Sequence, residues 1–145
     1  MIFAVKGHVE KVVNDEKTQT RRNSDRYEVG RTYAIQRGRG KSGDSRGRIL
    51  ITHKWREEAY TPEAEGSVEN VISVEDAIAE GGYTPDHYEM LYESMSPFWK
   101  TRWAYVFEFW STGSMESLEK ALKNARNNPS VKFDSLRPTV MEEES

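Results

Sequence analysis

A chain of 145 residues with a net charge of −3 and no cysteine suits one domain with its own core, and it excludes disulfide staples and thiolate metal sites. No apolar run is long enough to span a bilayer, and Met1–Val5 is too short an apolar stretch before Lys6 to act as a secretory leader, so the expected setting is cytoplasmic. The charge is uneven: between Lys17 and Arg56 twelve Lys and Arg face three acids (Asp25, Glu28, Asp44), a local +9 that leaves −12 for the remainder. Such a split points to a basic surface for a polyanion on an acidic body, and away from a protein that coats DNA non-specifically.

In chain order, Ile2–Lys6 reads as a short strand. His8–Asn14 places Val9, Val12 and Val13 on one helical face. Lys17–Arg22 (KTQTRR) reads as a polar, basic connector, and Val29-Gly30 as a turn. Thr32–Arg37 and Arg48–Trp55 both alternate, and together with the Gly-rich, basic Gly38–Gly47 between them they predict a long-tipped β-hairpin. In the second strand Ile49, Ile51, His53 and Trp55 share one face, which makes His53 a core histidine. Tyr60–Ser67 has no period and reads as a loop. Ser73 and Asp76 form a capping signal for a helix through Ala79, closed by Gly81-Gly82. Thr84-Pro85 starts the next helix, with Tyr88, Leu91, Tyr92 and Met95 as its apolar stripe and Pro97 as its stop. Arg102–Trp110 is apolar on both faces, the mark of a central strand. Met115–Asn127 predicts a last helix with Leu118, Ala121, Leu122 and Ala125 inward, and Pro129 onward lacks a pattern. The expected fold class is α+β, with a small β-barrel and flanking helices.

Most motif matches fail on context. Gly38-Arg39-Gly40-Lys41-Ser42-Gly43 has the GxGxxG form, but a strand follows where a dinucleotide fold needs a helix. It also lacks the leading glycine of a P-loop, since Ile stands at position 35. His8, His53 and His87 show no ligand spacing, so no metal or cofactor is expected. The segment Lys17-Thr18-Gln19-Thr20-Arg21-Arg22 is the richest. It gathers an amine, two hydroxyls, an amide and two guanidiniums able to fork onto phosphate. In extended backbone Thr18, Thr20 and Arg22 point one way, and Lys17, Gln19 and Arg21 the other. Glu80, before Gly81-Gly82 at a helix end, is a carboxylate poorly placed for the helix dipole.

A short helix, KTQTRR, Y-x-V-G-x-x-Y at Tyr27–Tyr33, a hairpin, a helix ending Ala79-Glu80-Gly81 and an aromatic closing strand come in an order that resembles the ASCH domain family of the PUA-like superfamily of small β-barrels. The resemblance covers about Met1–Trp110. It implies an ASCH/PUA-like domain over 1–112, an appended C-terminal helix over 113–128 and a partly disordered acidic tail over 129–145. It further implies a cleft lined by KTQTRR that takes RNA, a nucleotide or a nucleoside. One branch of the family hydrolyses the acetyl amide of acetylcytidine with a Lys, a Thr and a Glu, and another is ribonuclease-like. Lys17 and Thr20 match the first two positions, and Glu80 matches the third if one residue is inserted near Gly81-Gly82. Arg22 matches the family's Arg, whereas Arg21 stands at a usually neutral position.

The expected site is therefore Lys17, Thr18, Gln19, Thr20, Arg21 and Arg22 for the ligand, with Arg37, Arg39 and Lys41 of the hairpin tip touching phosphates. If the chain is an enzyme, Lys17, Thr20 and Glu80 carry the chemistry. Two other readings remain: the amidohydrolase itself, and a protein-interaction domain that uses the acidic C-terminal helix and tail.

Overall fold

The computed structural model describes residues 1–59 and 72–127. The predicted loop at Tyr60–Ser67 and the tail over 129–145 lie outside them. The described chain is α+β. Helix α1 (His8–Val13) is followed by strands β1 (Gln19–Arg22), β2 (Thr32–Ala34) and β3 (Gly47–Glu58), helices α2 (Val74–Ala79) and α3 (Pro85–Met95), strand β4 (Thr101–Ser111), a 3-10 turn at Thr112–Ser114 and helix α4 (Met115–Asn127).

The four strands form an antiparallel sheet in the order β1-β4-β3-β2. β4 lies inside it, as its two apolar faces require. On one face Ile49 and Ile51 of β3 and Tyr105 and Phe107 of β4 pack with Phe3, Val9 and Val12. On the other, Leu50 and Trp110 meet Leu118 and Leu122 of α4. The last helix thus fastens to the sheet through the 3.6-residue stripe in its sequence. Gly47 opens β3 where a side chain would not fit: a Cβ there would stand 2.1 Å from the Trp110 carbonyl oxygen.

Three expectations change. The sheet is open and does not close into a barrel: β2 has only three residues, and the predicted Ile2–Lys6 strand makes a single parallel bridge, Ile2 to Gln36. Phe3 N–H donates to Gln36 at 2.7 Å and Gln36 N–H to Met1 at 2.9 Å, but the ladder goes no further. The KTQTRR connector contains an edge strand, because Gln19–Arg22 pairs residue for residue with Val106–Trp103. And His53 leaves the core. A β-bulge between Ile51 and His53 inserts Thr52, which breaks the alternation. Thr52 turns inward, its hydroxyl donating to the Val106 carbonyl at 3.2 Å, and His53 turns out.

The two short helices beside the sheet begin at the predicted caps. Ser73 Oγ accepts the Asp76 N–H at 3.1 Å, and Thr84 Oγ1 accepts the His87 N–H at 3.3 Å with Pro85 in the first turn. Gly81 and Gly82, at φ 138° and 88°, turn the chain between α2 and α3. Tyr88 and Tyr92 of α3 pack with Ile72 and Ala77 in a third cluster. Among the described residues no helix is long and apolar enough to cross a membrane.

Candidate functional site

β1 and the end of α2 meet because the backbone joins them: Thr18 N–H donates to the Ala79 carbonyl at 2.8 Å, and the Thr18 carbonyl accepts from Phe107 N–H at 2.9 Å. This seats Lys17 and Glu80, 63 positions apart, side by side. Lys17 Nζ donates to Glu80 Oε1 at 2.8 Å and to the Glu80 carbonyl at 2.7 Å. Both side chains are buried, at 2% and 1% exposure. The misplaced carboxylate at the end of α2 is thus explained: it turns into the protein toward cations, away from the dipole's solvent side.

Arg21 takes the other oxygen of that acid, Nη1 donating to Glu80 Oε2 at 2.9 Å. It also donates from Nε and Nη2 to the two oxygens of Glu57 at 2.9 and 3.0 Å, from Nη1 to Gln19 at 3.0 Å and from Nη2 to Asp76 at 3.4 Å. Glu57 passes the chain on. It accepts from Trp55 Nε1 and from Arg102 Nε, each at 2.8 Å, and Arg102 forks onto Glu89 of α3 at 2.7 and 2.8 Å. Lys17, Glu80, Arg21, Glu57, Arg102 and Glu89 alternate in sign across the molecule. Burial alone would raise the Glu57 carboxyl, but the hydrogen bonds and charge of Arg21, with Trp55 and Arg102, hold it at about 2. Burial pulls Lys17 below its ordinary value, opposed by Glu80. Burial also works against the Arg21 cation, yet Glu57 and Glu80 keep it above its ordinary value.

Lys17, Thr20, Arg21, Arg22 and Glu80 line one cavity of about 290 Å³, floored by the N-terminal segment with Phe3 and His8 and roofed by Tyr88, Leu91, Tyr92 and Met95 of α3. The alternation along β1 divides the labour. Arg22 Nε donates to Thr20 Oγ1 at 3.2 Å on one side, while Arg21 reaches Gln19 on the other. Arg22 also lies 5.3 Å over the Phe3 ring.

Not every expected residue arrives. Thr18 and Gln19 do not line the cavity, and Gln19 is spent on Asp76 at 2.8 Å. Arg37 and Lys41 line a separate, more open hollow with Glu10, Asp44 and Arg46, and Arg39 lines neither. Arg37 and Arg46 are tied there to Glu10 and Asp44. Of the twelve basic side chains from Lys17 to Arg56, seven stand within ion-pair distance of a carboxylate among the described residues: Lys17, Arg21, Arg31, Arg37, Arg46, Lys54 and Arg56. Acids inside the run (Asp25, Glu28, Asp44) and outside it (Glu10, Glu57, Glu58, Asp76, Glu80) answer these cations. No group of three His, Asp or Glu suited to a metal occurs among the described residues.

No protein-family model matches the chain, and neither a curated protein nor a solved structure does so. The site must be understood from its own geometry.

Sequence reading missed Glu57, Arg102, Glu89 and Asp76, because ion partners that meet through tertiary folding leave no local spacing. It also missed His8, a buried wall of the cavity. Its Nε2 lies 2.6 Å from the Tyr83 hydroxyl, and burial, then the charges of Lys17, Lys11 and Arg22, hold its pKa at about 4. The folded state thus binds fewer protons than the unfolded one between about pH 4 and 6.5, so stability rises with pH across that window and is lost on acidification. Between pH 7 and pH 5, the loss seen by urea unfolding should be roughly 1–2 kcal/mol larger in the wild type than in His8→Gln. An equal loss in both would place the acid sensitivity elsewhere.

Proposed function

We propose that the chain is an ASCH-type domain that receives one nucleotide, or one exposed base of an RNA, in the cavity between the N-terminal segment, β1 and α3. One observation carries the reading: Lys17, Thr20 and Glu80, distant in sequence, line the same hollow. Its volume is close to the lower limit of small-ligand sites and suits a single base with its sugar better than a strand. Aromatic walls at Phe3, Tyr88 and Tyr92 favour a flat, partly apolar ligand. The open sheet is a departure from the PUA-like pattern, and the reading does not depend on closure.

A second reading, hydrolysis of the acetyl amide of an acetylcytidine-type nucleoside, is favoured by the environment of Lys17. A buried amine with a lowered pKa, held 2.8 Å from Glu80, shares the cavity with the Thr20 hydroxyl. Thr20 Oγ adds to the acetyl carbonyl once Lys17 has given up its proton and its amine can accept that of the hydroxyl. Collapse breaks the C–N bond, and the proton passes to the leaving exocyclic amine. Water then cleaves the acetyl-threonine ester, releasing acetate. Glu80 orients the amine throughout.

A panel of nucleosides, acetylcytidine, mononucleotides and short RNAs, scored by thermal shift and by chromatography, tests both. Binding of at least one member, lost in Lys17→Ala, is expected. Release of cytidine and acetate, lowered at least about a hundredfold in Lys17→Ala or Thr20→Val, would establish catalysis. A panel with neither shift nor conversion contradicts both readings.

A further inference from the structure

The cations around the cavity differ in what they have left to give. Arg21 makes five hydrogen bonds to protein acceptors, the full complement of its N–H groups. Lys17 has placed two of its three. Arg22 donates only from Nε, to Thr20, and no carboxylate among the described residues lies within ion-pair distance of it. Its two Nη groups, four N–H donors, have no acceptor among the described residues. No buried side-chain nitrogen or oxygen among the described residues lacks a partner, so these Nη groups are open to solvent, and Arg22 itself lines the cavity. Thr20 Oγ1, having accepted from Arg22, keeps its own proton to donate beside that fork.

The charge balance agrees. Lys17, Arg21 and Arg102 are matched by Glu80, Glu57 and Glu89, and Arg22 stands outside that chain. Partial burial lowers its pKa, opposed by Tyr27 and by the charge of Glu80 without an ion pair to it. A planar fork of free N–H donors in a concave wall selects a tetrahedral or planar oxyanion. A neutral nucleoside would leave it unanswered.

Resting on the reading above, we infer that Arg22 is the anion-recognising residue of the cavity and that the ligand is a phosphorylated nucleoside, engaged through one phosphate. The hairpin tip lies apart from this cavity: Arg37, Lys41 and Arg46 line a separate hollow, where Arg37 and Arg46 hold Glu10 and Asp44.

Calorimetry with the four ribonucleosides, their 5′- and 3′-monophosphates and inorganic phosphate tests this in the wild type, Arg22→Gln and Arg22→Lys. At least one monophosphate should bind about tenfold or more tightly than its own nucleoside. Arg22→Gln should close most of that gap by lowering monophosphate affinity more than nucleoside affinity, and Arg22→Lys should restore part of it. A short single-stranded RNA should lose only about two- to threefold in wild-type affinity between about 50 and 200 mM salt, the slope of one phosphate contact. Equal affinity for nucleoside and monophosphate in the wild type overturns the inference and leaves the base-binding cavity standing. A salt loss of about a hundredfold or more overturns it in favour of a many-phosphate surface. Failure of every probe to bind removes both. Because the wild-type gap and salt slope decide alone, an unfolded variant does not rescue it.

Discussion

Glu80→Ala is expected to cost about 3–5 kcal/mol of stability, the typical cost of leaving a buried charge without its partner. In a chain of this size that lowers the melting temperature by on the order of 10 °C. The carboxylate is 1% exposed and answers two buried cations, Lys17 through Oε1 and Arg21 through Oε2. Arg21 would keep Glu57 and Asp76, but Lys17 would keep only the backbone carbonyl. The double variant Lys17→Met, Glu80→Leu removes the pair together and should recover at least half of the loss, since an apolar pair of similar size removes the need to desolvate either charge. Chemical unfolding of the single and double variants checks both values. A Glu80→Ala loss under about 1 kcal/mol would mean that water already reaches the acid.

Arg102→Met should cost about 3 kcal/mol and also weaken ligand binding, although Arg102 does not line the cavity. The guanidinium is 1% exposed, bridges Glu57 of β3 to Glu89 of α3, and lies 4.2 Å from the centre of the Trp99 ring and 4.9 Å from that of Tyr92. It is a charged link between the sheet and the helix that roofs the site, beside the Tyr92–Asn23 hydrogen bond. Freed of it, Tyr88 and Tyr92 lose a fixed position over the ligand. Denaturant unfolding and a nucleotide titration of the same sample separate the effects: stability lost with affinity unchanged would show that α3 holds its place without that charged link.

What the residues disclosed in advance was local. The caps at Ser73 and Thr84 and the stripe of α4 produced helices at their expected ends. The double-sided apolar run of Arg102–Trp110 lies within the inner strand β4. These depend on neighbours within a turn or a pleat, where sequence carries the information directly. The alternation within KTQTRR was likewise legible, and it separates Arg21 from Arg22. What failed depends on distant partners. The bulge that expels His53 answers the pairing of β3 with β4, and the openness of the sheet follows from how few residues β2 and the N-terminal segment contribute. The local +9 overstated the basic surface because acids such as Glu10, Glu57 and Glu80 come from outside the run.

The most direct test of the cavity is a titration of the isotope-labelled full chain with a mononucleotide, followed by backbone amide resonances. Shifts should concentrate on Phe3, Thr20, Arg22 and the Tyr88–Tyr92 turn of α3, leaving Gly38–Gly47 still. Shifts confined to the hairpin tip, or none at saturating nucleotide, would contradict a ligand held between β1 and α3.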